Sequence, residues 1–76
     1  MDKIIEILEG IRPGVDWAGE TGIIEKGLLD SFDMIALVTD LNEAFSVSVG
    51  LEHLEPENFY SVEAIASLLA SLGASL

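Results

Sequence analysis

Residues 30–45 read DSFDMIALVTDLNEAF and carry the spacing of an amphipathic helix. At about 100° per residue, a broad apolar stripe forms along this segment. The stripe holds Met34, Leu37, Val38, Leu41, Ala44 and Phe45. The opposite arc holds Asp33, Ala36, Thr39, Asp40, Asn42 and Glu43. Ile35 lies at the edge of the stripe, toward the polar arc and one turn from Ser31. The pattern predicts a helix that begins at Ser31, with Asp30 and Ser31 as its start signals.

Two further segments, one toward each end of the chain, also carry helical spacing of apolar residues. The first runs from about Asp2 to Ile11, and its apolar face holds Ile4, Ile7, Leu8 and Ile11. Gly10, Pro13 and Gly14 are its end signals. The last helix is predicted to start after Ser61 as the N-cap and to stop at Gly73. Its buried face is predicted to hold Val62, Ile65, Ala66, Leu69 and Leu72.

Apolar anchors are predicted to hold the segments between the helices. The connection 12–30 is too long for a free loop in a small domain, and its anchors are Val15, Trp17, Ile23, Ile24, Leu28 and Leu29. Segment 46–54 reads as a turn whose inward residues are Val47, Val49 and Leu51. A short helical turn is predicted at 55–59, because Pro56 suits a first helical position. The expected fold is therefore all-α, a small bundle of three main helices plus one short helix that forms a single domain over residues 1–76.

The composition restricts the classes of function. Fourteen Asp and Glu residues oppose three Lys and Arg residues, which gives a net charge of −11 over 76 residues. This charge disfavours nucleic acid and anionic membranes as partners and favours basic proteins. A nucleic-acid mimic would share it, so that alternative stays open. The chain has no cysteine, which excludes disulfides, thiolate metal sites and a cysteine nucleophile.

The first eight residues contain no long apolar run. We therefore expect neither a signal peptide nor a membrane anchor there. A cytoplasmic location, without membrane insertion, and a monomeric state are the default expectations.

The sequence lacks the usual catalytic and metal-binding patterns. His53 is the only histidine, and no P-loop, GxGxxG or GxSxG motif occurs. The acidic stretch at Asp30 lacks the further ligands and the central glycine of a calcium loop. Because most carboxylates fall on solvated helix faces, a small enzyme ranks last among the functions considered. No metal site is expected.

Residues 27–33, GLLDSFD, place a serine at the junction of a loop and a helix. One interpretation is that Ser31 is the N-cap of the helix, which is a common role for serine. The other is that its hydroxyl carries a phosphate ester, which the free backbone N–H groups and the helix dipole would stabilise. The loop side would leave the hydroxyl accessible to a modifying enzyme. Taken alone, the physical chemistry favours the N-cap interpretation.

The surrounding pattern resembles the acyl carrier protein family, which includes standalone peptidyl and D-alanine carriers. Members attach phosphopantetheine to the serine of an Asp-Ser-Leu-like motif that opens their second helix, and Asp30-Ser31-Phe32-Asp33 stands in that place. The apolar run through Leu37, Val38, Leu41 and Phe45 is similar to the core of that helix. Segment 58–66, NFYSVEAIA, is similar to the end of their short third helix and the start of the fourth. This resemblance covers essentially the whole chain and reverses the preference for a plain N-cap.

The resemblance implies a carrier protein that catalyses nothing itself. Ser31 would bear a 4'-phosphopantetheine arm, derived from coenzyme A, that holds acyl or aminoacyl groups as thioesters. The implied partners are a phosphopantetheinyl transferase and an acyl- or aminoacyl-activating ligase or synthase enzymes. The residues implied to contact partners are Asp30, Phe32, Asp33 and Ile35. For Ile35, packing is an equally open alternative, and Met34 is assigned to the core.

Three residues depart from the family pattern. Phe32 replaces the commoner leucine, Ala36 stands where fatty-acid carriers often have glutamate, and Asn42 removes another acidic position. A dedicated ligase or synthetase is therefore favoured over the standard fatty-acid synthase as the partner, and the cargo stays open. The alternative function is a non-enzymatic acidic helical interaction module.

Overall fold

The computed structural model describes residues 2–75, except for the side chain of Leu51. Within this range three α-helices follow one another: α1 (Asp2–Ile11), α2 (Ser31–Phe45) and α3 (Val62–Ser71). Short 3-10 turns lie between them at Trp17–Gly19, Leu51–His53 and Pro56–Phe59. The described residues form no strand, only an isolated antiparallel bridge between Thr21 and Ser61. The predicted all-α bundle is confirmed.

The outer helices bury most of the faces that their spacing predicts. Ile5 and Leu68 join these faces without having been predicted, and Leu72 is half-buried just after the end of α3. In α1 the buried or half-buried apolar residues are Ile4, Ile5, Ile7, Leu8 and Ile11. In α3 the buried residues are Val62, Ile65, Ala66, Leu68 and Leu69. The Ser61 hydroxyl accepts a hydrogen bond from the Ala64 N–H at 3.1 Å, which confirms the predicted N-cap. Gly73 follows the helix with φ +97°, a left-handed conformation that suits glycine. No helix among the described residues has both the length and the apolar character needed to cross a lipid bilayer.

The buried face of α2 is displaced from part of the predicted stripe. Its buried residues are Leu37 and Leu41, and Met34, Val38 and Phe45 are half-buried against the same core. Ala44, which was predicted to lie in the stripe, is exposed. The buried face extends instead toward Asn42, whose Oδ1 accepts a hydrogen bond from the Val49 N–H at 2.8 Å. This bond ties segment 46–54 to the Asn42 edge of the buried face, whereas Ala44 lies on the opposite edge.

The connection 12–30 is held against the core by the predicted anchors. Trp17, Ile23 and Leu29 are buried, whereas Val15, Ile24 and Leu28 are half-buried. The Trp17 indole N–H donates to the Arg12 carbonyl at 3.1 Å. The Ile23 N–H donates to the Tyr60 carbonyl at 3.3 Å. These contacts fix the course of the connection and hence the place where α2 begins.

Segment 46–59 returns the chain from α2 to α3. Val49 is buried and Val47 is half-buried, as predicted, whereas the prediction for Leu51 lies outside the described side chains. The predicted short turn is confirmed at Pro56–Phe59, and Pro56 lies at its start. Phe59 is completely buried. The turn therefore supplies a large aromatic side chain to the core.

Candidate functional site

Asp30 caps α2 and leaves Ser31 at the first helical position. The Asp33 N–H donates to Asp30 Oδ1 at 2.8 Å, and the Asp30 N–H donates to Asp33 Oδ2 at 3.2 Å. This reciprocal pair is a capping box, which satisfies two N–H groups at the helix start. The interpretation of Ser31 as the N-cap is therefore wrong, because Asp30 supplies the capping side chain. Ser31 itself is exposed.

Ser31 lines an open groove between α2 and segment 46–54. The groove has a volume of about 560 Å³. Its lining residues are Ile24, Ser31, Met34, Ile35, Val38, Thr39, Val49, Gly50 and Leu54. Most of these side chains are apolar, so the Ser31 hydroxyl lies where an exposed helix start meets an apolar surface.

Large apolar side chains flank Ser31 on the outer surface. Phe32 is 82% exposed and Ile35 is 64% exposed, whereas Met34 is half-buried against the core, as predicted. Leu54, which is 38% exposed, lines the groove together with Ile35. The sequence did not indicate Leu54, because it ends a segment without helical spacing. The exposure of Phe32 and Ile35 leaves both available for contact with another molecule.

An ion pair joins the end of α1 to the start of α2. Arg12 Nη2 lies 3.1 Å from Asp33 Oδ2. The hydrogen bond from Arg12 and the one from the Asp30 N–H lower the pKa of the Asp33 carboxyl below its ordinary value. The sequence did not indicate this pair, because its members are 21 positions apart and lie on different elements. Half-buried Asp33 therefore belongs both to the helix cap and to an ion pair.

His53 supports the wall of the groove. Its Nδ1 accepts a hydrogen bond from the Gly50 N–H at 3.1 Å, and its carbonyl accepts one from the Asn58 amide at 2.9 Å. Across residues 2–75, no group of three or more His, Asp or Glu side chains is arranged to hold a metal ion. His53 thus helps to hold the loop next to the groove in its conformation.

A protein of Serratia sp. (strain ATCC 39006), named probable acyl carrier protein PigG, is similar to this chain. The two are 30% identical over 69 residues, which cover 91% of this chain and 77% of the relative. This chain belongs to the acyl carrier protein family. No protein-family model matches it. The resemblance seen in the sequence is confirmed by this relative and agrees with the all-helical fold.

The residues predicted to carry the function lie at the start of α2. The structure brings the predicted attachment residue Ser31 together with Asp30, Phe32, Asp33 and Ile35 in the first turns of that helix. All of these residues are exposed except Asp33, which is half-buried. The predicted site residues therefore surround the start of one helix: Ser31 and Ile35 line the groove, and Asp33 is paired with Arg12.

The cap of α2 should contribute measurably to stability. We expect Asp30→Ala to lower the free energy of unfolding by about 1 kcal/mol, because the Asp33 N–H loses its acceptor. Urea unfolding followed by far-UV circular dichroism measures this loss. Asp30→Asn is the matched control, since its amide oxygen still accepts the bond while the charge is gone. Equal losses in the two variants would show that the charge, not the hydrogen bond, is responsible.

Proposed function

We propose that residues 1–76 form a single carrier domain that bears a 4'-phosphopantetheine arm on Ser31. The arm would hold acyl or aminoacyl groups as thioesters and deliver them to partner biosynthetic enzymes. The proposal rests on the exposure of Ser31 at the first position of α2, where Asp30 has taken the capping role. The relative named as a probable acyl carrier protein supports the carrier role.

The start of α2 suits a phosphodiester on Ser31. Backbone N–H groups of the first turn point out of the helix end, and the helix dipole favours negative charge there. Asp30 and Asp33 add negative charge at the same end. Asp33 is paired with Arg12, whose Nη2 lies 3.1 Å from Asp33 Oδ2.

Attachment would use the Ser31 hydroxyl oxygen as the nucleophile toward the pyrophosphate of coenzyme A. A P–O bond to Ser31 forms, the bond to the adenosine bisphosphate half breaks, and the transferase supplies base and metal. The attached group supplies a thiol, which this cysteine-free chain lacks, and hence a reactive thioester held at high effective concentration near the next active site. In this proposal the chain's own residues provide attachment and docking, and they catalyse nothing.

Partner enzymes would dock around the start of α2. The net charge of −11 would steer basic surfaces toward the chain. Asp30 and Asp33 would meet cationic side chains of the partner, and the exposed Phe32 and Ile35 would become buried on docking. The proposed partners are a phosphopantetheinyl transferase and an acyl- or aminoacyl-activating ligase or synthase enzymes. A cytoplasmic location and a monomeric state stay predictions from the sequence.

Because the chain has no cysteine, a thiol assay reads the modification directly. The protein is incubated with coenzyme A, Mg²⁺ and a broad-specificity phosphopantetheinyl transferase, and small molecules are then removed. We expect the thiol content to rise from none to one per chain, with a mass increase of one phosphopantetheine group. The alternative, an acidic interaction module, predicts no thiol but competition with DNA for a basic protein.

A further inference from the structure

The ion pair between Arg12 and Asp33, at the start of α2, involves one of the few cationic side chains of the protein. The chain has three cationic residues against fourteen acidic ones. Lys26 pairs with Glu20 at 2.8 Å in the connection between α1 and α2, and Lys3 lies exposed on α1. Arg12 pairs with Asp33. One of the three cations therefore lies within the surface proposed for docking.

In the Arg12–Asp33 ion pair, the Asp33 side chain is less exposed than the Arg12 side chain. Asp33 Oδ2 receives two donors, Arg12 Nη2 at 3.1 Å and the Asp30 N–H at 3.2 Å. The Asp33 side chain is 21% exposed, whereas that of Arg12 is 45% exposed. Among the described residues, no ion pair is formed by Asp30. A partner that approaches this surface thus meets Asp30, which accepts the capping hydrogen bond but forms no ion pair with the described residues, and Asp33, which is already bound to a guanidinium.

The backbone of Arg12 is fixed, while its side chain can exchange. The Arg12 N–H donates to the Leu8 carbonyl at 2.8 Å, and the Arg12 carbonyl accepts the indole N–H of buried Trp17 at 3.1 Å. These bonds place the guanidinium beside α2. The contact itself is a partly exposed ion pair, which contributes little and can be displaced.

We propose that Arg12 is a specificity residue of the docking surface. It occupies Asp33 from within the chain, so a cationic side chain of a partner reaches that carboxylate only by displacing Arg12. The surface would therefore favour an enzyme that presents an arginine, whose planar fork can replace the single Nη2 contact with two hydrogen bonds. A lysine, as a point charge, gains less from the exchange. This inference rests on the proposed function and adds that partner enzymes should present an arginine to Asp33.

The experiment compares Arg12→Gln with Lys3→Gln in the phosphopantetheinyl transferase assay. Both substitutions change the net charge from −11 to −12, so they should change the long-range attraction of a basic partner by similar amounts. Only Arg12→Gln removes the ion pair with Asp33. At low salt we expect Arg12→Gln to be modified about 2- to 5-fold faster, as kcat/KM, than Lys3→Gln, which is the range for an exposed ion pair. Equal rates, or a slower Arg12→Gln, would overturn the proposal.

A second variant separates competition from a structural role. Asp33→Asn keeps a capping oxygen and loses the charge. In the Arg12→Gln background it should remove the gain in modification rate. In the wild-type background, where Arg12 already occupies Asp33, it should change the modification rate less. A structural role for Arg12 would instead lower the urea midpoint and slow modification in both backgrounds. If Arg12→Gln is poorly folded, Arg12→Lys takes its place, with a smaller gain in modification rate expected.

Should the wild-type chain gain no thiol at all, the proposed function and this inference both fail. A modified wild type with no Arg12 effect would contradict the inference alone.

Discussion

Phe59→Ala is expected to lower the free energy of unfolding by about 3–5 kcal/mol. Phe59 is completely buried, and its truncation removes a large apolar contact and leaves a cavity that a dense core fills only in part. Natural proteins are stable by about 5–15 kcal/mol, and small ones bury proportionally less surface. The variant should therefore be marginal or unfolded at room temperature. Urea unfolding followed by the fluorescence of buried Trp17, the only tryptophan, measures the loss.

Phe32→Ala is the matched control for this experiment, because it makes the same chemical change at a side chain that is 82% exposed. We expect its unfolding free energy to change by no more than about 0.5 kcal/mol. Its modification by the transferase should instead be slower, since Phe32 is proposed to contact partners. Similar stability losses in the two variants would mean that the burial of the two phenylalanines differs less than the structure indicates.

Ser31→Ala is expected to abolish the thiol gain completely while leaving the fold intact. The hydroxyl oxygen is the proposed point of attachment, so no amount of enzyme should restore the reaction. The free energy of unfolding should change by no more than about 0.5 kcal/mol, because the cap is made by Asp30 and alanine is a good helix former. Intact mass spectrometry and urea unfolding measure the two properties on the same sample.

Ser67→Ala provides the control for that substitution, since Ser67 is also exposed and lies on α3. It should be modified at the wild-type rate and reach one thiol per chain. A full mass increase in Ser31→Ala, or its loss in Ser67→Ala, would show that the hydroxyl at the start of α2 is not the attachment point.

Much of the helical architecture could be predicted because its signals are local. Spacing on one face locates a helix, and side-chain caps such as Ser61 and the glycine at position 73 mark its ends within a few residues. The anchoring of the connection 12–30 was also readable, since Trp17 and Ile23 are too apolar to remain in water.

What the sequence left undecided depends on contacts between distant segments. Asp30 and Ser31 are both good capping residues, and only the backbone geometry assigns the cap to Asp30. Likewise, Arg12 meets Asp33 only after the connection has folded back on the core. The exposure of Ala44 could not be predicted either, because the spacing of α2 does not say which elements pack against each edge of its apolar stripe.

Localising the added group on the wild-type chain shows whether Ser31 is the attachment point. After incubation with coenzyme A, Mg²⁺ and the transferase, the protein is fragmented and the position of the added mass is read by tandem mass spectrometry. We predict that every modified fragment contains Ser31 and that the mass is attached to its side chain. Attachment at any other residue, or an unmodified chain in the presence of a transferase that modifies a known carrier in the same tube, would contradict the account.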